Sequence, residues 1–300
     1  MRRVQLIFIL SLLTNVGIGQ NYIDLAKFDY AFSSANSFDT GFVTTRLQEI
    51  NGDFTLPIKV NDQFAILTGS TLETTNASFD PTRETESVTG LTLKLGTNIK
   101  HTDRWSGTYM LLPKISSDFK KIANRDFQIG GVVLMKYKKT DHFNYNFGVY
   151  VNDELFGPFL VPIFGFYYLN PSEKFEAKVL LPLSVDLNYS LTKSFRFGLN
   201  FKGQIRSYNL NTPIGTEQDR YLARSTNDVY TYFQYGMKSG IHVQLGAGHS
   251  FGRSYRIYNE GVTFGIPLFN FGDNRAQLNT DFSDGWIFKI AAFYRLKLKA

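Results

Sequence analysis

Between Phe195 and Arg206 the chain alternates with a period of two, sustained over about eleven residues. The odd positions are Phe195, Phe197, Leu199, Phe201, Gly203 and Ile205; the even positions are Arg196, Gly198, Asn200, Lys202, Gln204 and Arg206. A half-buried strand in a soluble sheet runs about five or six residues, whereas a tilted strand crossing a bilayer needs about nine to eleven. One face carries aromatic rings and the other strong hydrogen-bonding groups. Lipid outside and a polar lumen inside account for both the length and the contrast. The stretch therefore predicts a transmembrane barrel strand, and its repetition along the chain would make an outer-membrane β-barrel.

The unit does repeat. Phe28, Tyr30 and Phe32 alternate with Lys27, Asp29, Ala31 and Ser33; Leu91, Leu93 and Leu95 oppose Thr92, Lys94 and Gly96. The same pattern runs through Phe127–Tyr137, Phe143–Val151, Val185–Tyr189 and Trp286–Leu298. Short turns fall near residues 61, 102, 140, 171, 192 and 238, and longer polar loops near 38, 80, 120, 215 and 270. Asn209 to Arg224 reads as one of those loops, and about Tyr255 to Asp284 as irregular chain. Short periplasmic turns and longer external loops are the asymmetry of an outer-membrane barrel. If Pro182 sits at a hairpin there are fourteen strands; if it kinks one long strand, with one other merger, there are twelve. Both are even, as bacterial single-chain barrels require. The fold class is all-β, a single antiparallel transmembrane barrel. Aromatic residues reach 16% against 43% hydrophobic overall. That excess suits lipid-facing strands with interfacial girdles; an aromatic-rich soluble sandwich would share it, so the alternation decides.

Arg2 and Arg3 precede an apolar run from Val4 to Leu13, and Gly17 and Gly19 supply small residues before Gln20. This reads as a secretory signal peptide over residues 1–19, cleaved after Gly19, with the barrel domain over 20–300. The run is too short for a helical span. Its removal takes two arginines and no acid, so the formal charge falls from +6 to +4. There is no basic run of the kind nucleic-acid binders carry, so no nucleic-acid partner is expected. The chain has no cysteine, which excludes disulfides, thiolate metal sites and a cysteine nucleophile.

The polar face is rich in cations. Lys94, Lys136, Lys178, Arg196, Lys202, Arg206, Lys289, Arg295 and Lys297 all fall in the inward phase, with Asp29, Glu176 and Asp186 as acidic counterparts. A charge facing lipid near the midplane costs ~2–4 kcal/mol, so the inward orientation follows from the fold. These residues would line the lumen, either as a salt-bridged plug or as a net-positive pore favouring anions. Tyr and Phe at inward positions fill volume and favour the plug or a narrow pore.

Gly248-His249-Ser250-Phe251-Gly252 matches G-x-S-x-G. That elbow needs a strand, a strained turn and a helix, and no helical periodicity follows it. A Ser–His hydrolase built on the barrel wall would draw on His142, His242 or His249, yet no serine stands clearly opposite His242. His242 and His249 are seven apart, hence on opposite faces of a regular strand. The carboxylates Glu84, Glu86, Asp153, Glu154, Asp281 and Asp284 read as solvated loop charges.

The run FGVYVNDELFGPFLVPIFGFYYLNPSEKFEAKVLLPLSVDLNYSLTKSFRFGLNFKG resembles the central portion of an uncharacterised family of Gram-negative outer-membrane β-barrel proteins, classified as a domain of unknown function. The matching pieces are Gly148-Val149-Tyr150 with Asn152, Glu154-Leu155-Phe156-Gly157, Pro162 with Gly165, Leu181-Pro182, Tyr189 and the strand of Gly198. The similarity extends from about Asp24 to the C-terminus. One departure is the ending Leu298-Lys299-Ala300, where many such barrels end in an aromatic residue. The resemblance implies location and fold and carries no catalytic residues. The expectation is a structural barrel or narrow passive pore with a basic lumen, not an enzyme and without a cofactor. It would sit in outer-membrane lipid and lipopolysaccharide, be inserted by the barrel-assembly machinery, and leave room for a small solute. The alternatives are an outer-membrane lipid hydrolase and a soluble periplasmic β-barrel that binds a ligand.

Overall fold

Each wall strand hydrogen-bonds to the next in sequence, and the last returns to the first. The computed structural model describes residues 22–39, 41–211, 219–259 and 275–297, together with 261, 263–266, 269–271 and 273. The signal-peptide segment 1–19, Pro213 and Gly215, and the ending Leu298–Ala300 lie outside the described residues. The wall strands are β1 (Tyr22–Ser33), β2 (Gln48–Lys59), β3 (Phe64–Ala77), β4 (Glu86–Lys100), β5 (Trp105–Ser117), β6 (Phe127–Thr140) and β7 (Phe143–Glu154). They continue as β8 (Gly157–Leu169), β9 (Phe175–Leu181), β10 (Ser184–Ser190), β11 (Phe195–Leu210), β12 (Arg220–Gly236), β13 (Ile241–Tyr258) and β14 (Gly285–Lys297). β1 pairs antiparallel with β14, from Tyr22 opposite Lys297 to Ser33 opposite Ile287, which closes a fourteen-stranded antiparallel barrel. Closure removes the exposed sheet edge that lipid could not satisfy.

The alternation sorts the side chains as a bilayer would. On β12, Phe233 is 62% exposed while its neighbours Tyr232 and Gln234 are 3% and 5% exposed. Phe195, Phe197 and Leu199 on β11 and Leu245 and Ile290 on β13 and β14 are likewise exposed. Trp105 packs on Tyr137, and Phe195 on Tyr235, near one end of the wall. The six short turns lie at that end, as do the start of β1 and the end of β14. Among the described residues no helix is long and apolar enough to cross a membrane.

Pro182 lies at a hairpin tip. Leu183 N–H donates to Leu180 O at 2.8 Å, and β9 and β10 pair with each other from Phe175/Tyr189 to Leu180/Ser184. This hairpin is short, seven residues a side. Its partners therefore outrun it. β8 meets β9 only from Phe164 onward, and β11 meets β10 only up to Lys202. Above that level β8 and β11 flank a notch in the wall.

Two sequence expectations are corrected here. Asn209 to Arg224 is not all loop: β11 runs to Leu210, β12 begins at Arg220, and the two pair down to Leu210 opposite Arg220. Nor is the chain irregular from Tyr255, because β13 continues to Tyr258. A bulge interrupts β12 and β13 between Ser225 and Asn227, with Gly252 at φ +57°. Bulges sharpen twist and re-aim the strand. Beyond this one, Arg253, Tyr255 and Ile257 take the inward face. Further on, the ribbon Phe264–Ile266/Phe269–Phe271 joins the free edge of β8 through Phe159 opposite Gly265.

Freed of β10, the ends of β11, β12 and β13 leave the wall and cross the barrel mouth. Asn209 of β11 pairs in parallel with Ser117 of β5, which stands six strands away in the ring. Both faces of this continuation are covered. On one, Tyr208, Leu210, Leu222, Tyr255 and Ile257 pack against Phe38, Leu47, Ala77, Phe79, Val88 and Phe282. On the other, Tyr221 and Tyr258 pack against Phe156, Phe159 and Val161, with Ile205 and Ala223 partly buried beside them. The loop end of the lumen is thus filled by the wall's own sheet.

Candidate functional site

A side chain can reach a strand that is not its neighbour only through the interior, so such contacts map the lumen. Near the turn end, Tyr22 of β1 donates its hydroxyl to Glu176 of β9 at 2.7 Å, across the ring. Tyr167 and Asn188 also donate to Glu176, both at 3.1 Å, and Arg196 and Lys178 approach it at 3.5 and 3.7 Å. Arg295 grips Asp24 with two bonds of 2.6 and 2.9 Å and stacks over the Tyr22 ring at 3.6 Å. Such a cation over an aromatic face adds about 0.5–2 kcal/mol. Higher up, Asp186 accepts from the Tyr232 hydroxyl and from Asn200 at 3.0 Å each. Lys289 pairs with Asp29 at 2.9 Å, and Lys94 with Asp53 at 2.7 Å.

Directly beneath the filled mouth lies a second polar layer. Arg206 of β11 meets Glu73 of β3 at 3.2 Å, and Gln204 donates to the same carboxylate. Arg224 of β12 donates to Glu49 at 2.6 Å and to Thr75 at 3.2 Å; Tyr255 donates to Glu49 at 3.0 Å. Lys202 faces a small cavity shared with Glu49, Asn51 and Lys289.

The nine cations expected to line the lumen therefore do not form one site. Lys178, Arg196 and Arg295 converge on Tyr22, Glu176 and Asp24; Arg206 and Lys202 sit with Glu73 and Glu49; Lys94 and Lys289 hold their own aspartates. Lys136 borders a cavity at the turn end, and Lys297 is exposed at the rim beside it. The sequence reading left out four of the carboxylates opposite them: Asp24, Glu49, Asp53 and Glu73. The same count of two that found the lysines would have found Glu49, Asp53 and Glu73.

Glu154 is the sharpest correction. It reads as a solvated loop charge, yet its side chain is 0% exposed. It accepts from the Ser207 backbone N–H at 2.8 Å and from the Ser207 hydroxyl and Asn152 amide, with Lys114 at 3.5 Å. The Ser207 hydroxyl in turn accepts from Leu155 N–H, and its carbonyl accepts from Ser116 Oγ at 2.8 Å and Gln128 Nε2 at 3.2 Å. One residue of β11 is thus bonded to β5, β6 and the β7–β8 turn. Two positions on, Asn209 donates to the buried Asp126 at 2.7 Å. These bonds fasten the crossing sheet to the opposite wall. Three other acids read as loop charges also have partners: Glu86 with Arg83 at 3.3 Å, Asp281 with Arg256 at 2.7 Å, and Asp284 on the Gly252 and Arg253 amides.

Among the described residues, Ser250, His249 and His242 do not assemble a hydrolytic geometry. β13 runs through Gly248–Gly252 and on to Tyr258, so the G-x-S-x-G match lies inside a bulged strand that is not followed directly by a helix. Ser250 is turned inward and fully buried. His249 faces the other way, between Phe251 and Trp286. His242 Nδ1 shares a 3.0 Å hydrogen bond with Gln234, and its ring stacks on Phe293. Among the described residues no group of three His, Asp or Glu side chains is arranged to hold a metal ion.

Solved structures that align with the chain include the Pseudomonas putida toluene transporter TodX, at 9% identity and TM-score 0.41, covering 97% of this chain and 94% of that one. The NanC porin aligns at 9% identity and TM-score 0.35, covering 90% and 100%. A Pseudomonas aeruginosa FadL homologue aligns at 12% identity and TM-score 0.34, covering 89% and 75%. No curated protein matches the chain. A family described as Domain of unknown function (DUF6268) matches residues 15–275.

Proposed function

The chain belongs to that family, DUF6268, and we propose that this member is an outer-membrane barrel held shut at its outer mouth by its own sheet. One observation carries the reading: the ends of β11–β13 lie across the lumen with both faces packed, and β11 is bonded to β5–β7. An open pore needs a continuous polar path. Here the path meets a cross-lumen ion-pair layer and then an apolar layer. The nine inward cations serve in this reading as a salt-bridged filling more than as an anion-selective lining. Export by the segment 1–19 with cleavage after Gly19, insertion by the barrel-assembly machinery, and lipopolysaccharide around the loop end complete the proposal. The barrel carries out no catalysis in it.

Planar-bilayer recording with the purified, heat-modifiable barrel tests this. The wild-type chain is expected to give no steady conductance steps at moderate voltage. A stable, voltage-independent open level from most inserted barrels would contradict the closed mouth.

A further inference from the structure

The lumen is blocked at the loop end, but at the turn end it opens into a cavity of about 390 Å³ lined by Asn98, Thr108, Asn146, Leu67 and Leu134. That size falls within the range of about 300–1,000 Å³ typical of small-molecule sites. A smaller recess of about 110 Å³ adjoins it and shares Asn98, Ser106 and Lys136. Its rim carries Lys59, Lys100, Lys136 and Lys138. All four lie in the inward phase of β2, β4 and β6, so they form an arc at the entrance to the larger chamber.

The carboxylates near this arc point to water. Asp62, Asp103 and Asp141 pair with Lys59, Lys100 and Lys138 at 2.7, 2.7 and 2.6 Å, and each Asp side chain is at least 84% exposed. In all three turns the hydrogen bond from the lysine holds the aspartate below the usual carboxylate range. Exposed pairs of this kind contribute little to stability and exchange readily with water. Among the described residues the one carboxylate lining the chamber, Asp24, is already gripped by Arg295. A lysine arc backed by solvated acids, at the door of a chamber that sets Asn98, Thr108 and Asn146 among Pro57, Leu67 and Leu134, matches an anionic group attached to a neutral body with both hydroxyl-bearing and apolar faces.

We propose that this vestibule binds a small organic anion from the periplasmic side, its carboxylate or phosphate on the arc of Lys59, Lys100, Lys136 and Lys138. Its hydroxyl-bearing body lies against Asn98, Thr108 and Asn146. The site is at the opposite end from the closed mouth, so conductance and binding fail independently.

Trp105 borders the recess, and Trp286, the chain's other tryptophan, starts β14 at the far end of the wall. A Trp286→Phe background therefore leaves Trp105 as a local reporter. Its fluorescence would be titrated with glucose 6-phosphate, gluconate and glucose at constant ionic strength. Barrels with Lys100→Gln/Lys138→Gln, and with Lys174→Gln/Lys193→Gln on the opposite arc, would be compared, each checked for heat-modifiable migration. A saturable response to either anion is expected, with affinity at least tenfold weaker in the first variant and unchanged in the second. Response to glucose 6-phosphate alone assigns a phosphate, and to gluconate alone a carboxylate. Equal response to glucose, equal loss in both variants, or no saturable response to either anion overturns the proposal. Should the double variant fail to fold, Lys100→Gln alone carries the comparison, with at least a threefold loss expected.

Discussion

Replacing Glu154 with alanine is expected to destabilise the barrel by about 3–5 kcal/mol and to give it channel activity. The substitution leaves Lys114, 5% exposed at its side chain, as an uncompensated buried charge, and breaking one partner of a buried pair costs about that much. It also removes the acceptor of the Ser207 N–H and hydroxyl, and each stranded donor adds ~1–3 kcal/mol of desolvation within that total. The loss falls where the crossing sheet is fastened. Denaturant unfolding in detergent micelles reads the stability, and planar bilayers read the opening. Glu154→Gln keeps a carbonyl for Ser207 and is expected to lose less than half as much. A change below ~1 kcal/mol for Glu154→Ala would remove Ser207 and Glu154 from the role assigned to them.

The second large effect concerns which face meets lipid. Leu199 sits on the exposed face of β11, with Leu187 and Thr231 as its register partners, some way up from the turn end. Leu199→Lys is expected to cost ~2–4 kcal/mol on refolding into vesicles, the cost of a lysine near the bilayer midplane. Phe195→Lys, on the same face but at the turn-end rim, is expected to cost ~0–1 kcal/mol, because the cost falls with depth. Moving one residue along β11 changes face. Asn200 already donates to Asp186 at 3.0 Å inside the barrel, so Asn200→Lys puts a cation beside a carboxylate and is expected to change stability by less than ~1 kcal/mol. Equal penalties at Leu199 and Asn200 would mean that the two faces do not differ in solvent.

The wall was legible because lipid and lumen differ so strongly in polarity. Wherever a strand separates the two, as at Phe195–Lys202, Phe143–Val151 or Trp286–Lys297, period two survives in the residues themselves. The six short turns follow from that contrast, whereas the choice between fourteen and twelve strands rested on Pro182, which the hairpin of β9 and β10 decides. The crossing sheet was illegible for the same reason inverted. Beyond Ile205 both faces of β11 and β12 meet protein, so Ser207-Tyr208-Asn209-Leu210 and Arg220-Tyr221-Leu222 have no polarity contrast to display. Arg220 and Arg224, read as loop residues by their charge, are 1% and 2% exposed. The bulge at Gly252 hid the rest of β13, because it exchanges the faces and turns a regular pattern out of phase. Glu154 was misread for a different reason. It ends a strand, and its burial comes from residues far along the chain, Ser207 and Lys114.

A disulfide between positions 117 and 209 tests the closed mouth most directly. The chain contains no cysteine, so Ser117→Cys/Asn209→Cys introduces the only two thiols. These positions are register partners in a parallel bridge, within the Cα separation of about 4.4–6.8 Å that a disulfide spans. Leu187→Cys/Leu199→Cys, neighbours on β10 and β11 of the wall, serves as the reference pair. In outer-membrane fractions treated with mild oxidant, both pairs are expected to cross-link, seen as a reductant-sensitive shift on a denaturing gel. Cross-linking of the wall pair with none at 117/209 would mean that β11 does not cross the lumen, and would contradict the account.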